Sequence, residues 1–356
     1  MNTDRMIIIL ISIGILYLVI TSVVDVSTIF KKRENVTEPT VLGIKSDQIG
    51  NYYIYMYDIL TKETTTIASN KAGLFNPFIY KNKVVYTSYQ NGNGDIYLYN
   101  IDSGETKEIT SNPYNQDLAR IYGDIIVWDD SRSEYEKGSR VTNKQDIYMY
   151  DLNKGVESAV IKTGLPDRFP DIYGDIIVAE IYLRGIYGNV YIYNITSGEL
   201  KGVTSNPTGH EHIRIYKNKI VWYTQSPCDI HMYDLSTGET MRLTNVSGCE
   251  IYPNIHENVV VYQRTLSGNN SDIYAYDLNT KREIQITNTP EFSETLPDIY
   301  DDKIAFVRMY SPDKMDIFVY DLNTGREIKI RSPSDFNHGP EIYGDKVVWT
   351  AFDVSK

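Results

Sequence analysis

The chain has only two cysteines, Cys228 and Cys249. Neither sits in a C-x-x-C spacing or beside a His/Cys cluster, so no metal site and no redox site are expected. A basic excess is also missing: 35 Lys and Arg face 47 Asp and Glu, a net of −12 spread without long runs. That excludes a nucleic-acid partner, which needs a basic face to neutralise phosphates. Enzyme signatures are absent as well, with no G-x-S-x-G elbow, no H-E-x-x-H, no phosphate-cradling loop and no S-x-D-x-G-x-T-W box. No cofactor is implied.

What is present is strand chemistry: 31 Tyr with many Ile and Val, against little Ala or Leu for helices. The exception is residues 6–24, MIIILISIGILYLVITSVV, which carry no charge. As a helix they reach about 28 Å, close to the hydrocarbon thickness of a bilayer. This segment reads as a membrane anchor or a long signal peptide. The anchor is favoured because no small-x-small cleavage site follows the apolar run. Residues 1–24 are then the anchor, 25–40 a linker and 41–356 the globular domain.

Orientation rests on opposing signals. Sequons at Asn35, Asn194, Asn245 and Asn269 are glycosylation candidates for an exported domain. Arg5 stands alone before the span whereas Lys31, Lys32 and Arg33 follow it, which the positive-inside rule reads the other way. The expectation is an extracytoplasmic domain on a single-pass anchor, displayed at the cell surface or in the periplasm.

The globular part is a repeat. One phrase occurs seven times: IYMYD (54–58), IYLYN (96–100), IYMYD (147–151), VYIYN (190–194), IHMYD (230–234), IYAYD (273–277) and IFVYD (317–321). A second lies between them, as in IYGDIIVW (121–128), IYKNKIVW (215–222) and IYGDKVVW (342–349). Most copies are 40 to 44 residues apart. With about four short strands per unit, this period predicts an all-β, seven-bladed β-propeller of four-stranded antiparallel blades, preceded by one N-terminal transmembrane helix.

From the axis outward the strands are named a to d. Strand a (P-x-I-Y) turns through a two-residue hairpin into b, and D-I-Y-x-Y-D forms c. An N-T-G or S-T-G turn with Gly at a left-handed position leads to d. Both faces of c are apolar or aromatic, as stacked blades require. Residues 51–68 supply only c and d, and 340–352 only a and b, so the chain ends are expected to complete one blade together and remove the exposed edges. VLGIKS (41–46) is an alternative b strand.

These phrases resemble the TolB-like propeller repeats of bacterial periplasmic proteins and archaeal surface proteins, across all seven units. The resemblance implies the fold and does not by itself imply a function.

In this topology the b-to-c and d-to-a connections share one face, here the loop face, and the hairpins share the other, the turn face. The loop face varies and is where a protein or glycan partner is expected. Cys228 (b-to-c) and Cys249 (d-to-a) fall together on it and are expected to form a disulfide. The long connection 129–145 offers Asp129, Asp130 and Arg132 as partner-binding residues. A further set comes from the residue before the Ile of each strand a, which should gather at the channel. It includes Arg120, Asp171, Arg214, Asp298 and Glu341, expected to pair with one another or to meet a polar ligand.

His210 and His212 form an H-x-H that would put both rings on one side of an extended segment, at most half a zinc site. The Asp residues that open c strands (Asp95, Asp146, Asp229, Asp272, Asp316) are read as backbone caps. The functional expectation is a binding or surface-scaffold module. The alternative is a hydrolase or lyase at the channel mouth acting on polysaccharide or peptide, which would show two unpaired carboxylates about 5 to 9 Å apart across an open cleft.

Overall fold

The computed structural model describes residues 40–41, 44–45, 49–135, 144–183, 188–205, 209–265, 270–311 and 314–354. The span at 6–24 and the linker lie outside the described residues. Among the described residues no helix is long and apolar enough to cross a membrane.

Seven four-stranded antiparallel sheets form the propeller. Blade 1 runs from Leu74–Tyr80 to Thr106–Glu108, blade 2 from Gln116–Tyr122 to Val156–Ile161 and blade 3 from Asp167–Tyr173 to Leu200–Gly202. Blade 4 runs from His210–Tyr216 to Glu239–Arg242, blade 5 from Cys249–His256 to Arg282–Gln285 and blade 6 from Ser293–Tyr300 to Arg326–Lys329. Blade 7 joins the chain ends: Phe336–Tyr343 and Lys346–Val354 pair with Ile49–Asp58 and Glu63–Asn70. Tyr55 lies opposite Trp349 in that seam. The described residues of 41–46 supply no b strand. Thr40–Val41 and Ile44–Lys45 pair in a separate two-stranded sheet, and the b position of blade 7 is taken by Lys346–Val354.

Adjacent strand-b residues serve different cores. Ile126 packs toward blade 1 with Val85 and Ile96, whereas Val127 packs toward blade 3 with Ile172 and Ile177. Burial on both faces is why these strands read as continuous apolar runs. Trp128, Trp222, Trp349, Tyr262 and Phe306 occupy one strand-b position in five blades and are fully buried.

The turns are as regular. In each a-to-b hairpin the first residue takes a left-handed angle, among them Gly123 (φ 62°) and Lys217 (φ 52°). The second residue's carbonyl accepts from the N–H just after strand c, as Asp124 does from Leu152 at 2.8 Å. At the c-to-d turns the Asp or Asn ending strand c caps the turn: the Asp58 Oδ1 accepts from the N–H groups of Leu60 and Thr61, and the Asn194 Oδ1 from Ser197. Of the carboxylates opening strand c, Asp272 accepts a backbone N–H, from Thr289 at 3.4 Å, as expected of a cap, whereas others pair with cations. Asp229 binds Arg242 and Asp316 binds Lys329, both strand-d cations, and the N–H of Ile230, just after Asp229, is satisfied by Thr244, two residues beyond strand d.

Strand a holds a feature that the repeat phrases do not announce. Two residues before each channel position the backbone takes a left-handed angle, at Asn76, Leu118, Phe169, His212, Tyr252, Leu296 and Gly339 (φ 51° to 61°). Only one of the seven is Gly. The pairing of a with b shifts register at the same place in every blade, so this is a β-bulge repeated around the ring.

Candidate functional site: the channel and its loop-face mouth

The bulge sorts the inner strands into layers around the axis. Nearest the turn face, Tyr80, Tyr122, Tyr173, Tyr216, His256, Tyr300 and Tyr343 form a closed aromatic circle. Each ring lies 4.4 to 5.3 Å from the next, including Tyr343 to Tyr80 across the chain ends. Tilted and edge-on contacts at these distances are the favourable aromatic geometries.

The expected charged set forms the next layer and is buried, apart from the partly buried Glu341. Arg120 reaches Glu341 at 3.6 Å and lies over the Phe78 ring at 4.9 Å. Asp171 accepts from the N–H of Ile172 and, in the next blade, from that of Ile215, each at 2.9 Å. Asp298 does the same for Ile342 at 2.6 Å and accepts from Asn254 at 2.5 Å. These carboxylates stitch neighbouring blades together.

Burial raises the pKa of Asp171, and the guanidiniums of Arg214 and Arg120 oppose the rise. Burial and then the charge of Glu341 hold Asp298 well above the usual carboxylate range. Three carboxylates share two guanidiniums, and burial, the first cause in each case, raises the carboxyls of both Asp298 and Glu341 and so reduces the charge the guanidiniums must balance. The layer is therefore internally matched, and it lacks the separated pair of free carboxylates that glycosidase chemistry would use.

Toward the loop face the charge is not matched. Cross-strand pairs here are Asp117 with Asp129, Arg168 with Glu180, and Glu211 with Tyr223. Asp117 is fully engaged, accepting from Thr87, Asn76 and the Leu118 N–H. Asp129 Oδ1 accepts from the Phe169 N–H at 2.9 Å, while its Oδ2 lies 3.7 Å from Arg168. Burial pushes the Asp129 carboxyl up to about 8, against the pull of Arg168.

Glu180 is fully buried. One oxygen accepts from the Tyr182 hydroxyl at 2.9 Å and the other has no hydrogen-bond partner. Burial first and the Glu211 charge second raise its pKa well above the ordinary value. A buried, half-satisfied carboxylate facing a second one is costly unless something neutralises it.

Of the residues expected in the 129–145 connection, only Asp129 faces the channel. Asp130 and Arg132 bind each other through two contacts of 2.6 and 2.8 Å, and Arg132 also holds Glu157 and covers the Tyr148 ring at 4.0 Å. Arg264 and Arg308 make the same clamp in blades 5 and 6, with Glu250 and Glu283, and with Glu294 and Glu327. Arg132 supplies from a connection what those blades supply from strand b. The rest of the connection, 136–143, lies outside the described residues.

Cys228 and Cys249 are bonded, with Cα atoms 4.7 Å apart, and tie the blade 4 b-to-c connection to the start of blade 5. Asn245 is exposed, and the Asn194 side chain caps its own turn; Asn35 and Asn269 lie outside the described residues. The H-x-H does not put its rings on one side. The left-handed angle of His212 turns its ring toward Tyr252, while His210 contacts the Gly188 carbonyl and the edge of Trp222. Among the described residues no group of His, Cys, Asp or Glu is placed to hold a metal.

Sequence reading missed Arg168, Glu180 and Glu211. The available signal was their common offset on each side of the bulge, which is invisible until the bulge is known.

No family model matches the chain, and no curated protein matches it. Solved structures share the fold. A putative TolB from Agrobacterium tumefaciens is 13% identical with a TM-score of 0.53, covering 85% of this chain and 98% of that one. The β-propeller domain of the Trilobed protease from Pyrococcus furiosus is 15% identical with a TM-score of 0.62, covering 78% and 89%. An acylaminoacyl peptidase from Pyrococcus horikoshii is 14% identical with a TM-score of 0.58. It matches over 76% of this chain, which spans about half (47%) of that peptidase. At these identities the likeness is one of fold, the propeller that the TolB-like resemblance implied.

Proposed function

We propose that the chain is a membrane-anchored, extracytoplasmic binding module whose loop-face mouth receives a positively charged segment of a protein partner. The observation that carries this reading is the junction of blades 3 and 4, where Glu180 is buried with an oxygen unpartnered and faces Glu211. With Asp129 nearby and Arg168 the cation of these cross-strand pairs, a Lys or Arg side chain would complete the charge balance. The aromatic circle lines the opposite end of the channel, and the matched charged layer between leaves the loop face as the unbalanced end.

The test is calorimetric titration of the intact protein with a Lys/Arg-rich peptide and with a Glu-rich peptide of equal length. Saturable binding of the basic peptide alone is expected, weakened at least tenfold by E180Q/E211Q. Equal binding of both peptides, or an unaffected double variant, overturns the reading.

The disulfide supports display outside the cytoplasm, since such bonds persist in oxidising compartments. Added protease should digest the propeller on intact cells. Digestion only after lysis would sink the extracytoplasmic placement without touching the charge argument.

The hydrolase reading draws on the likeness to peptidase propellers. In those terms Asp171, Asp298 and Glu341 would be the catalytic carboxylates, but each is spent on backbone N–H groups, Arg120, Arg214 or each other.

A further inference from the structure

Three blades carry Trp at the same strand-b position, and two of them satisfy the indole N–H. Trp128 donates to Asp130 at 3.1 Å and Trp349 to Asn337 at 2.9 Å. The third, Trp222 in blade 4, is 1% exposed and its Nε1–H has no acceptor. The residues occupying the two partner positions in blade 4 are Thr224 and His210, and both are turned to other tasks. The Thr224 hydroxyl donates to the Pro227 carbonyl at 2.6 Å, and His210 Nδ1 lies 3.1 Å from the Gly188 carbonyl.

Trp222 borders a groove of about 380 Å³ between blade 4 and the outer end of blade 3. His210, His231, Thr204, Thr240 and Arg242 also line it. Because a carbonyl only accepts, the His210 contact places the proton on Nδ1 and leaves Nε2 as an acceptor. The groove therefore offers a buried donor and an imidazole acceptor on neighbouring rings, 6.1 Å apart by centroid. His231 stacks on Trp222 at 6.0 Å.

The charge in the groove is already spoken for. Arg242 holds Asp229 at 2.7 Å and donates to the Thr244 carbonyl at 2.8 Å. A carboxylate ligand would have to compete with Asp229, and an ammonium would meet Arg242. A hydroxyl oxygen suits the position, since it can accept from Trp222 while donating to His210.

We propose that this groove binds a neutral, polyhydroxylated ligand of the saccharide class, one hydroxyl bridging Trp222 Nε1 and His210 Nε2. Neither Glu180 nor Glu211 lines the groove, so the proposal does not depend on the cationic-partner reading. Its size suits one or two sugar rings, and its hydroxyl-bearing lining supplies further short-range donors and acceptors.

The test is ligand-observed saturation-transfer NMR on the intact protein with glucose, galactose, mannose and N-acetylglucosamine, and with glucuronate as the charged comparator. Saturable binding of at least one neutral sugar is expected, with a Kd of order 1 mM. W222F keeps the ring and deletes the N–H; H210F keeps the packing and deletes the acceptor. Each should weaken binding about tenfold while the melting temperature confirms folding. If W222F lowers the melting temperature sharply, H210F alone carries the test. No saturable signal from any neutral sugar, preference for glucuronate, or full binding by a folded H210F variant each overturns the proposal.

Discussion

Arg120 of blade 2 and Glu341 of blade 7 meet at 3.6 Å although blade 1 stands between them, its Phe78 ring lying beneath the guanidinium. The contact joins residues 221 positions apart across the seam where the chain ends share a sheet. Removing one partner of a buried pair leaves the other charge uncompensated. R120M should therefore lower stability by about 3–5 kcal/mol, read from the urea midpoint, whereas R120M/E341M should recover most of the loss. A double variant no better than the single would show that the pair adds little beyond the packing on Phe78.

Asp129 makes stability fall with rising pH. Its folded-state carboxyl titrates near 8 because it is buried, above its ordinary value of 3.8. A carboxyl raised by folding favours the native state fully below its unfolded pKa, and that contribution is lost as pH climbs toward the folded value. D129N keeps an acceptor for the Phe169 N–H and removes the titration. Between about pH 4 and pH 8 the variant should gain on the wild type by a margin of up to about 5 kcal/mol, measured by urea unfolding at both pH values. Parallel pH profiles for the two proteins would show that Arg168 already holds Asp129 ionised.

The disulfide closes a loop with a sequence separation of 21. Replacing both cysteines, C228S/C249S, should cost about 3 kcal/mol through the freed unfolded chain. The melting temperature of the wild type in reductant should approach that of the variant.

The repeated bulge predicts a mild effect at its one Gly. Gly339 has φ +61° and nothing within 4 Å of an added Cβ, and six equivalent positions carry side chains. G339A should cost only about 1 kcal/mol, the left-handed penalty alone. A loss several times larger would mean that blade 7 lacks the support the other bulges have.

The sequence alone determined the period, the strand order within a blade, the pairing of the two chain ends and the meeting of Cys228 with Cys249. Each follows from local rules, namely alternation, turn residues and the arithmetic of a closed ring. Tertiary structure decided the roles of the polar residues. Asp130 and Arg132 read as partner-binding residues, yet they form a structural clamp equivalent to those of Arg264 and Arg308; Asp129, their neighbour, faces the channel. His210 and His212, two apart, point different ways. For the two histidines the reason is the inner-strand geometry: one extra residue in strand a shifts every later side chain to the opposite side. What surrounds a buried carboxylate such as Glu180 is then set by the next blade, more than thirty residues further along the chain, and no local pattern records it.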